Sequence, residues 1–405
     1  MRVAAVIAQG PTKFRRSEAL NIATSIVDNG TFADAYGKGV GPTAHCAPLY
    51  PLLLAGVIRL FGSGVAGYFA LAILSSASAS LALALLPRLS LICGFGALPG
   101  VLAGLAGAAL PVNFWGVITN TFDSPFTGLA FVVLCCIMCR IWLSESFSLR
   151  WDLAFGFAAA ICCLLNAVVL PVLALWFALG CWRFRAQAGT FLRHSSVAAM
   201  MILAALAPIA IRNRIELGRT IWTRSNLGLE LQVSNNDYVG PELETNLSNR
   251  FWLASHPFTS AVEREKVKRL GEPAYGDQKL AQAVAWIESH PRRFLVLSAE
   301  RVLIFWFPVM HRWPQTAIEG LMTLTGFTGL IALFRDRNSL AWVFAASLAG
   351  YSAIYTVVEA GPRYRYPIEA LLLLLAGVLV AKAVLVLAPE ARSASSTATF
   401  AAGAD

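Results

Sequence analysis

Apolar residues run along this chain in blocks long enough to cross a bilayer, with short polar gaps between them. A spanning helix needs about 20 consecutive apolar residues. The pattern supplies such runs at roughly 64–86, 90–110, 125–142, 195–211, 316–334, 339–357 and 366–388. A shorter apolar helix is expected over 48–62, "PLYPLLLAGVIRLFG". The stretch 153–182 is too long for one straight span. It is interrupted at "LLNAVVLP", where Asn166 and Pro171 predict two short helices that meet near one membrane face. Residues 294–309, "FLVLSAERVLIFWFPV", carry Glu300 and Arg301 in mid-run, so they are expected to lie in the interface rather than to cross. One polar region has the helical period as well: "SEALNIATSIV", with Ser17 placed to cap an amphipathic helix whose first turn holds Glu18.

Composition narrows the class. Of 405 residues, 57% are hydrophobic and 14% charged, with mean hydropathy +0.63. An ordinary soluble globule is excluded, and an all-α polytopic membrane protein of about ten membrane helices is expected. The formal charge of +9 does not point to nucleic acid, because the basic residues stand in short connections where they set orientation. Placing Arg88, Arg140, Arg150, Arg183, Arg185, Arg193, Arg335 and Arg337 in the cytoplasm puts residues 10–47, 111–124, 212–315 and 358–365 on the opposite face. That gives one transmembrane domain over 1–388, with a first external loop at 10–47 and a large one at 212–315. A low-complexity cytoplasmic tail, 389–405, is expected to be disordered. An external 10–47 should follow a span, yet "MRVAAVIAQG" is too short for one and lacks a signal peptide's apolar region and cleavage site. Either the true start lies upstream or the chain has lost its first helix, and a misplaced start is the expectation. Seven of the eight cysteines lie in or beside apolar runs as small hydrophobes, and Cys46, alone in a polar loop, has no obvious partner. The metal-like spacing of Cys135, Cys136 and Cys139 lacks any nearby carboxylate or histidine.

The unusual polar residues collect on the external face. The first loop offers Arg16, Glu18 and Asp34, then a Gly/Pro-rich segment, "GKGVGPTAHCAPLYP", with His45 and Tyr50. Glu18 is either a carboxylate favouring a helix N-terminus or a cavity acid. Asp123 is either a cap ahead of Pro125 or a second such acid. In "PRYRYPIEALLLLLAG", Arg363 and Arg365 lie where the positive-inside rule disfavours cations. An anion partner then becomes the better account. Arginine's planar fork takes two phosphate oxygens at once, and the phosphates of a membrane boundary belong to lipids. Generic headgroup contact is the alternative.

An acid in the first external loop is followed by "GPTAHCAPLYP", by an external loop with "SNLGLEL" and "SNND", by "HPRRF…ERVLIFW" and by "PRYRYPIEALLLLLAG". In that order the motifs resemble the bacterial family-39-like glycosyltransferases of the GT-C superfamily, relatives of protein mannosyltransferases and aminoarabinose transferases. The "RYRYPIE" start of the last helix is the most specific piece. The resemblance implies a GT-C helix bundle in the bacterial inner membrane. It would move a hexosyl or pentosyl group from a polyprenyl-phosphate donor to a lipid, protein or glycan acceptor outside the cytoplasm. It also implies Glu18 as general base, with Asp34 as a possible second acid because Ser17 replaces the first member of the relatives' Asp-Glu pair. Arg363 and Arg365, with Tyr364, would bind the donor phosphate. Arg16, His45, Tyr50, Asp123 and Asn235 would line the cavity. No cofactor is demanded, although a divalent metal on Glu18, Asp34, Asp123 or His45 is compatible with these side chains. Two rivals stand beside this reading. A lipid-linked sugar flippase should show internal repeats and midspan polar residues, and Asn166 is the main one here. A non-catalytic envelope-assembly subunit is the other.

Overall fold

The computed structural model describes residues 14–110, 122–144, 146–309 and 313–387. The expectations for 1–10, 111–121 and 389–405 lie outside these residues. Among the described residues the chain is helical, with two isolated bridges (Ala33 with Pro42, Glu242 with Ala360) and no strands.

The first helix, α1 (Glu18–Asn29), begins where its cap predicts: the Ser17 side chain accepts from the Leu20 N–H at 3.2 Å. Gly30 ends it at φ 71, a left-handed residue that glycine adopts without a Cβ clash. Next come α2 (Leu49–Phe61), α3 (Val65–Ala84), α4 (Leu86–Ile92), α5 (Ala97–Ala109) and α6 (Ser124–Leu143). The long apolar stretch divides as its polar break requires. α7 (Leu149–Leu165) stops at Asn166, a 3-10 turn covers Ala167–Val169, and α8 (Leu170–Arg183) follows. The Asn166 side chain accepts from the Val168 N–H at 3.1 Å, capping the new turn. After α9 (Ala188–Leu217) the chain forms a group of shorter, more polar helices. These are α10 (Leu227–Ser234), α11 (Leu243–Leu247), α12 (Arg250–Ser255), α13 (Ala261–Leu270), α14 (Glu272–Ser289) and α15 (Pro291–Trp306). Three apolar helices close the bundle: α16 (Trp313–Arg335), α17 (Leu340–Ser352) and α18 (Pro362–Leu387).

Among the described residues five segments are long and apolar enough to span: Val65–Ile92, Ser124–Leu143, Arg185–Leu217, Trp313–Arg335 and Pro362–Val384. Leu49–Phe61, Ala97–Ala109, Ala167–Arg183 and Leu340–Thr356 are shorter apolar helices. α15 is not among them. Its Arg301, which the sequence suggests sits in an interface, is fully buried against protein and donates to Asn235 Oδ1 at 3.0 Å and to the Val357 carbonyl at 3.1 Å.

The axis of the bundle is α18. Its Ile368, Leu371, Leu372, Leu374 and Leu375 have no exposure at all. Between membrane helices, lipid tails remove the hydrophobic driving force, so close backbone approach does much of the work. α16 meets α18 in this way: a Cβ on Gly329 would lie 2.0 Å from the Leu375 carbonyl oxygen. Side chains cannot be added there without separating the helices.

Candidate active site

The bundle and the polar helices enclose a cavity of about 500 Å³. Its walls come from the start of α1, the loop before α2, the N-terminus of α6, the α7 break, α10, α12 and the start of α18.

The Gly/Pro-rich first loop reaches the cavity because its backbone is pinned from two sides. Glu272, at the head of α14, accepts from the Ala44 N–H at 2.7 Å, from Ser225 Oγ at 2.5 Å and from Thr43 Oγ1. Arg212 of α9 donates to the Thr43 carbonyl at 2.6 Å and to the Phe32 carbonyl at 2.5 Å. His45 and Tyr50 are thereby held at the wall. His45 Nδ1 is bonded to the Tyr36 hydroxyl at 2.9 Å. Burial first, then Arg224 and His256, pull its pKa well below the usual histidine value, so it is neutral. The Tyr50 hydroxyl is buried with no partner among the described residues.

Glu18 opens onto the same space from the first turn of α1. Burial raises its pKa above the usual carboxylate range. Its own backbone N–H opposes that, Glu230 adds to it, and Arg363 and Arg224 oppose it. A carboxylate so placed is a stronger proton acceptor than one in water.

Arg363 faces Glu18 from the head of α18, where the motif's proline matters. Pro367 has no N–H to give the carbonyl four residues back, which belongs to Arg363. That oxygen accepts from Ser124 Oγ instead, at 3.3 Å. The Arg363 guanidinium is held between the rings of Phe122 and Tyr364, 4.7 and 4.8 Å from their centroids. It donates to the Tyr364 hydroxyl at 2.8 Å. Its Nε is buried without a hydrogen-bond partner, and among the described residues no carboxylate pairs with it. Tyr364 in turn stacks on Tyr355 at 4.7 Å.

Asp123 precedes α6, but its side chain does not cap the helix. It accepts from Asn166 Nδ2 at 2.9 Å and from Thr127 Oγ1 at 3.2 Å. The break in α7 and the start of α6 are thus joined by one bond at the cavity wall. Arg16 lines the mouth, with its guanidinium 6.0 Å from the Phe258 ring centroid.

So Arg16, Glu18, His45, Tyr50, Asp123, Arg363 and Tyr364 converge on one cavity. Three other candidates stand elsewhere. Arg365 is fully buried and faces the bundle, 3.0 Å from Glu319 of α16, and it donates to the Trp306 carbonyl at 2.7 Å. Asp34 accepts from the Gly41 N–H at 3.0 Å and shapes its own loop. Asn235 links Arg301 to the Val357 carbonyl, accepting from the first and donating to the second at 2.9 Å.

Four further residues line the cavity that sequence reasoning did not single out: Arg224, Glu230, His256 and Glu359. Arg224 donates to the His45 carbonyl at 3.1 Å. Glu359 accepts from Asn246 Nδ2 at 2.9 Å, and burial pushes its pKa up to about 7. A bridge between Leu243 N–H and the Ala360 carbonyl, 2.8 Å, brings the large polar loop to this position. Among the described residues no three histidine, cysteine or acidic side chains gather as a metal site. Of the four metal candidates, Glu18, His45 and Asp123 line the cavity and Asp34 stands outside it; Asp34 and Asp123 accept the bonds above, and His45 Nδ1 is bonded to the Tyr36 hydroxyl.

No protein-family model matches the chain, and no curated protein matches its sequence. Solved structures do match. The archaeal oligosaccharyltransferase AglB from Archaeoglobus fulgidus, in complex with an inhibitory peptide and a dolichol-phosphate, aligns with TM-score 0.57 at 13% identity, over 96% of this chain and 49% of that one. The Archaeoglobus fulgidus oligosaccharyltransferase tethered with an acceptor peptide aligns with TM-score 0.51 at 14% identity, over 92% and 46%. ArnT from Cupriavidus metallidurans bound to undecaprenyl phosphate gives TM-score 0.38 at 14% identity, over 91% and 76%. The fold is of the GT-C type. This chain spans about half the length of the oligosaccharyltransferases it matches.

Proposed function

We propose that this chain is a multi-pass membrane glycosyltransferase. It takes a sugar from a polyprenyl-phosphate donor and passes it to an acceptor hydroxyl on the face away from the cytoplasm. The observation that carries the reading is the pairing of two unspent groups in one cavity. Among the described residues Arg363 has no ion-pair carboxylate, and Glu18 has a raised pKa. A cation left unpaired beside aromatic walls suits an anion brought by a ligand, and an arginine fork suits phosphate. The AglB structure of the same fold carries a dolichol-phosphate, which supports a lipid-linked phosphate as that anion.

In the reaction, the acceptor hydroxyl oxygen forms a bond to the anomeric carbon as the bond from that carbon to the donor phosphate oxygen breaks. The electron pair leaves with the phosphate, and the hydroxyl proton passes to Glu18. Arg363 meets the charge that develops on the leaving phosphate, where a fixed donor acts on the transition state more than on the ground state. One displacement inverts the anomeric configuration. Arg224 adds a second positive centre to the cavity, and Tyr364 orients Arg363 through its hydroxyl. Orientation follows the arginine-rich connections: with those in the cytoplasm, the cavity opens outward.

The test uses the purified protein with radiolabelled polyprenyl-phosphate sugars, with and without membrane acceptor fractions. Transfer or hydrolysis of label that disappears in Glu18→Gln, while the variant expresses and unfolds like wild type, supports the proposal. Untouched donor combined with equilibration of the lipid across proteoliposomes would replace it with a flippase.

A further inference from the structure

A second cavity lies at the other end of α6 and α7, and nothing in the proposed reaction uses it. α6 has Asp123 and the proposed active site at its N-terminus, and Trp142 near its C-terminus. At 1.5 Å per residue the 20 residues of α6 set these ends about 30 Å apart, the thickness of a bilayer core.

This cavity has a volume of about 340 Å³ and runs between α7, α8 and α9. Its walls are aromatic and apolar, with Trp142, Phe155, Phe177 and Phe191 among them. Phe177 is 48% exposed and forms an open lip. Two polar features break the apolar lining. His194 Nδ1 is bonded to Asp152 across α9 and α7, with Phe147 stacked on the imidazole at 5.1 Å. Trp142 is almost entirely buried, and its indole Nε1–H has no acceptor among the described residues. A buried donor without a partner is uncommon, and a ligand oxygen is one way to satisfy it.

Charge says what kind of ligand. The helix ends around the cavity carry Arg140, Arg150, Arg183, Arg185 and Arg193, all exposed. Among the described residues none of the five pairs with a carboxylate. Arg183 lies over the Trp142 ring at 5.0 Å, directly at the wall. An apolar slot with an unmatched donor and a cationic rim matches an amphiphile with an anionic head. At this depth the abundant one is an anionic phospholipid.

We propose that the α7–α8–α9 cavity is a binding site for one anionic phospholipid of the leaflet opposite the active site, its acyl chain in the slot and its headgroup among the arginines. The site is independent of the glycosyltransferase reading. An orientation anchor would need the arginines but not the slot, so the two can be separated.

The test is native mass spectrometry of the full chain in detergent, titrated with phosphatidylglycerol or phosphatidylcholine. One tightly retained phosphatidylglycerol, kept in preference to phosphatidylcholine, is expected for wild type. Arg183→Gln and Arg193→Gln should each weaken retention roughly fivefold. Ala174→Phe, which fills the slot, should release the lipid while the arginines remain. Arg59→Gln, in the last turn of α2, should change nothing. Equal retention of both lipids by wild type would overturn the proposal, without reference to any variant's folding. So would unchanged retention in Ala174→Phe, or full displacement by glycerol phosphate, since either means that the headgroup alone binds.

Discussion

Arg363 and Arg365 stand two residues apart on one helix and live in different surroundings. Residues at i and i+2 do not share a helix face. Arg363 therefore points into the cavity, between two aromatic rings and, among the described residues, without an ion-pair carboxylate. Arg365 points into the bundle, against Glu319 and the Trp306 carbonyl, with no exposure. The same side chain thus serves opposite ends. One has its charge satisfied by the protein and contributes to assembly, because intramembrane charges persist only when paired. The other keeps its charge available. The difference separates stability from chemistry, and substitutions can probe each.

The largest effect is expected at the paired member. Arg365→Ala removes a buried charge from beside Glu319 and the donor to the Trp306 carbonyl, a loss of about 3–5 kcal/mol. Little folded protein should be recovered, as measured by size-exclusion profile and thermal unfolding in detergent. Glu18→Gln should fold normally and lower transfer by about 10²–10⁴-fold. Its pH profile sharpens the point. Because the Glu18 pKa is raised, wild-type transfer should climb as pH rises through that raised value, and the climb should vanish in the variant. Arg363→Ala should also unfold like wild type, with transfer reduced by about 10²–10³-fold. A melting temperature that falls as far as that of Arg365→Ala would erase the distinction between the two arginines.

Glu359 offers a subtler probe of the cavity side. Its folded-state pKa of about 7 lies above the ordinary 4.5, so the folded chain holds the extra proton between those values. Its contribution to stability is complete below about 4.5 and is lost as pH rises through about 7. Thermal unfolding between pH 5 and 8 should show that loss in wild type and not in Glu359→Gln. The smallest effect is expected from Asn166→Ala. It removes a turn cap and the bond to Asp123, at about 1 kcal/mol.

Local signals carried much of this architecture. Ser17 marked the start of α1, and Asn166 marked the break between α7 and α8, because caps and breaks act within a few residues. The arginines of the "RYRYP" motif stand out in the sequence as cations expected on the disfavoured face. What the motif could not show was which arginine was already paired, since Glu319 lies 46 residues away. Arg224, Glu230, His256 and Glu359 were hidden for a related reason. Three of them belong to a charge-rich loop in which solvated and inward side chains look alike. Their positions depend on distant bonds, such as Glu272 to Ala44, 228 residues apart. Asn235 and Asp34 show the converse: polar residues in suggestive motifs whose bonds serve the backbone around them.

The central claim is that Arg363 is the cavity's free phosphate ligand. Equilibrium binding of a polyprenyl phosphate to wild type, Arg363→Ala and Glu18→Gln tests it most directly. Loss of a charge-assisted fork should weaken binding by about 10- to 100-fold in Arg363→Ala, while Glu18→Gln, which removes a nearby negative charge, should bind as tightly as wild type or more so. Wild-type affinity in Arg363→Ala would contradict the account.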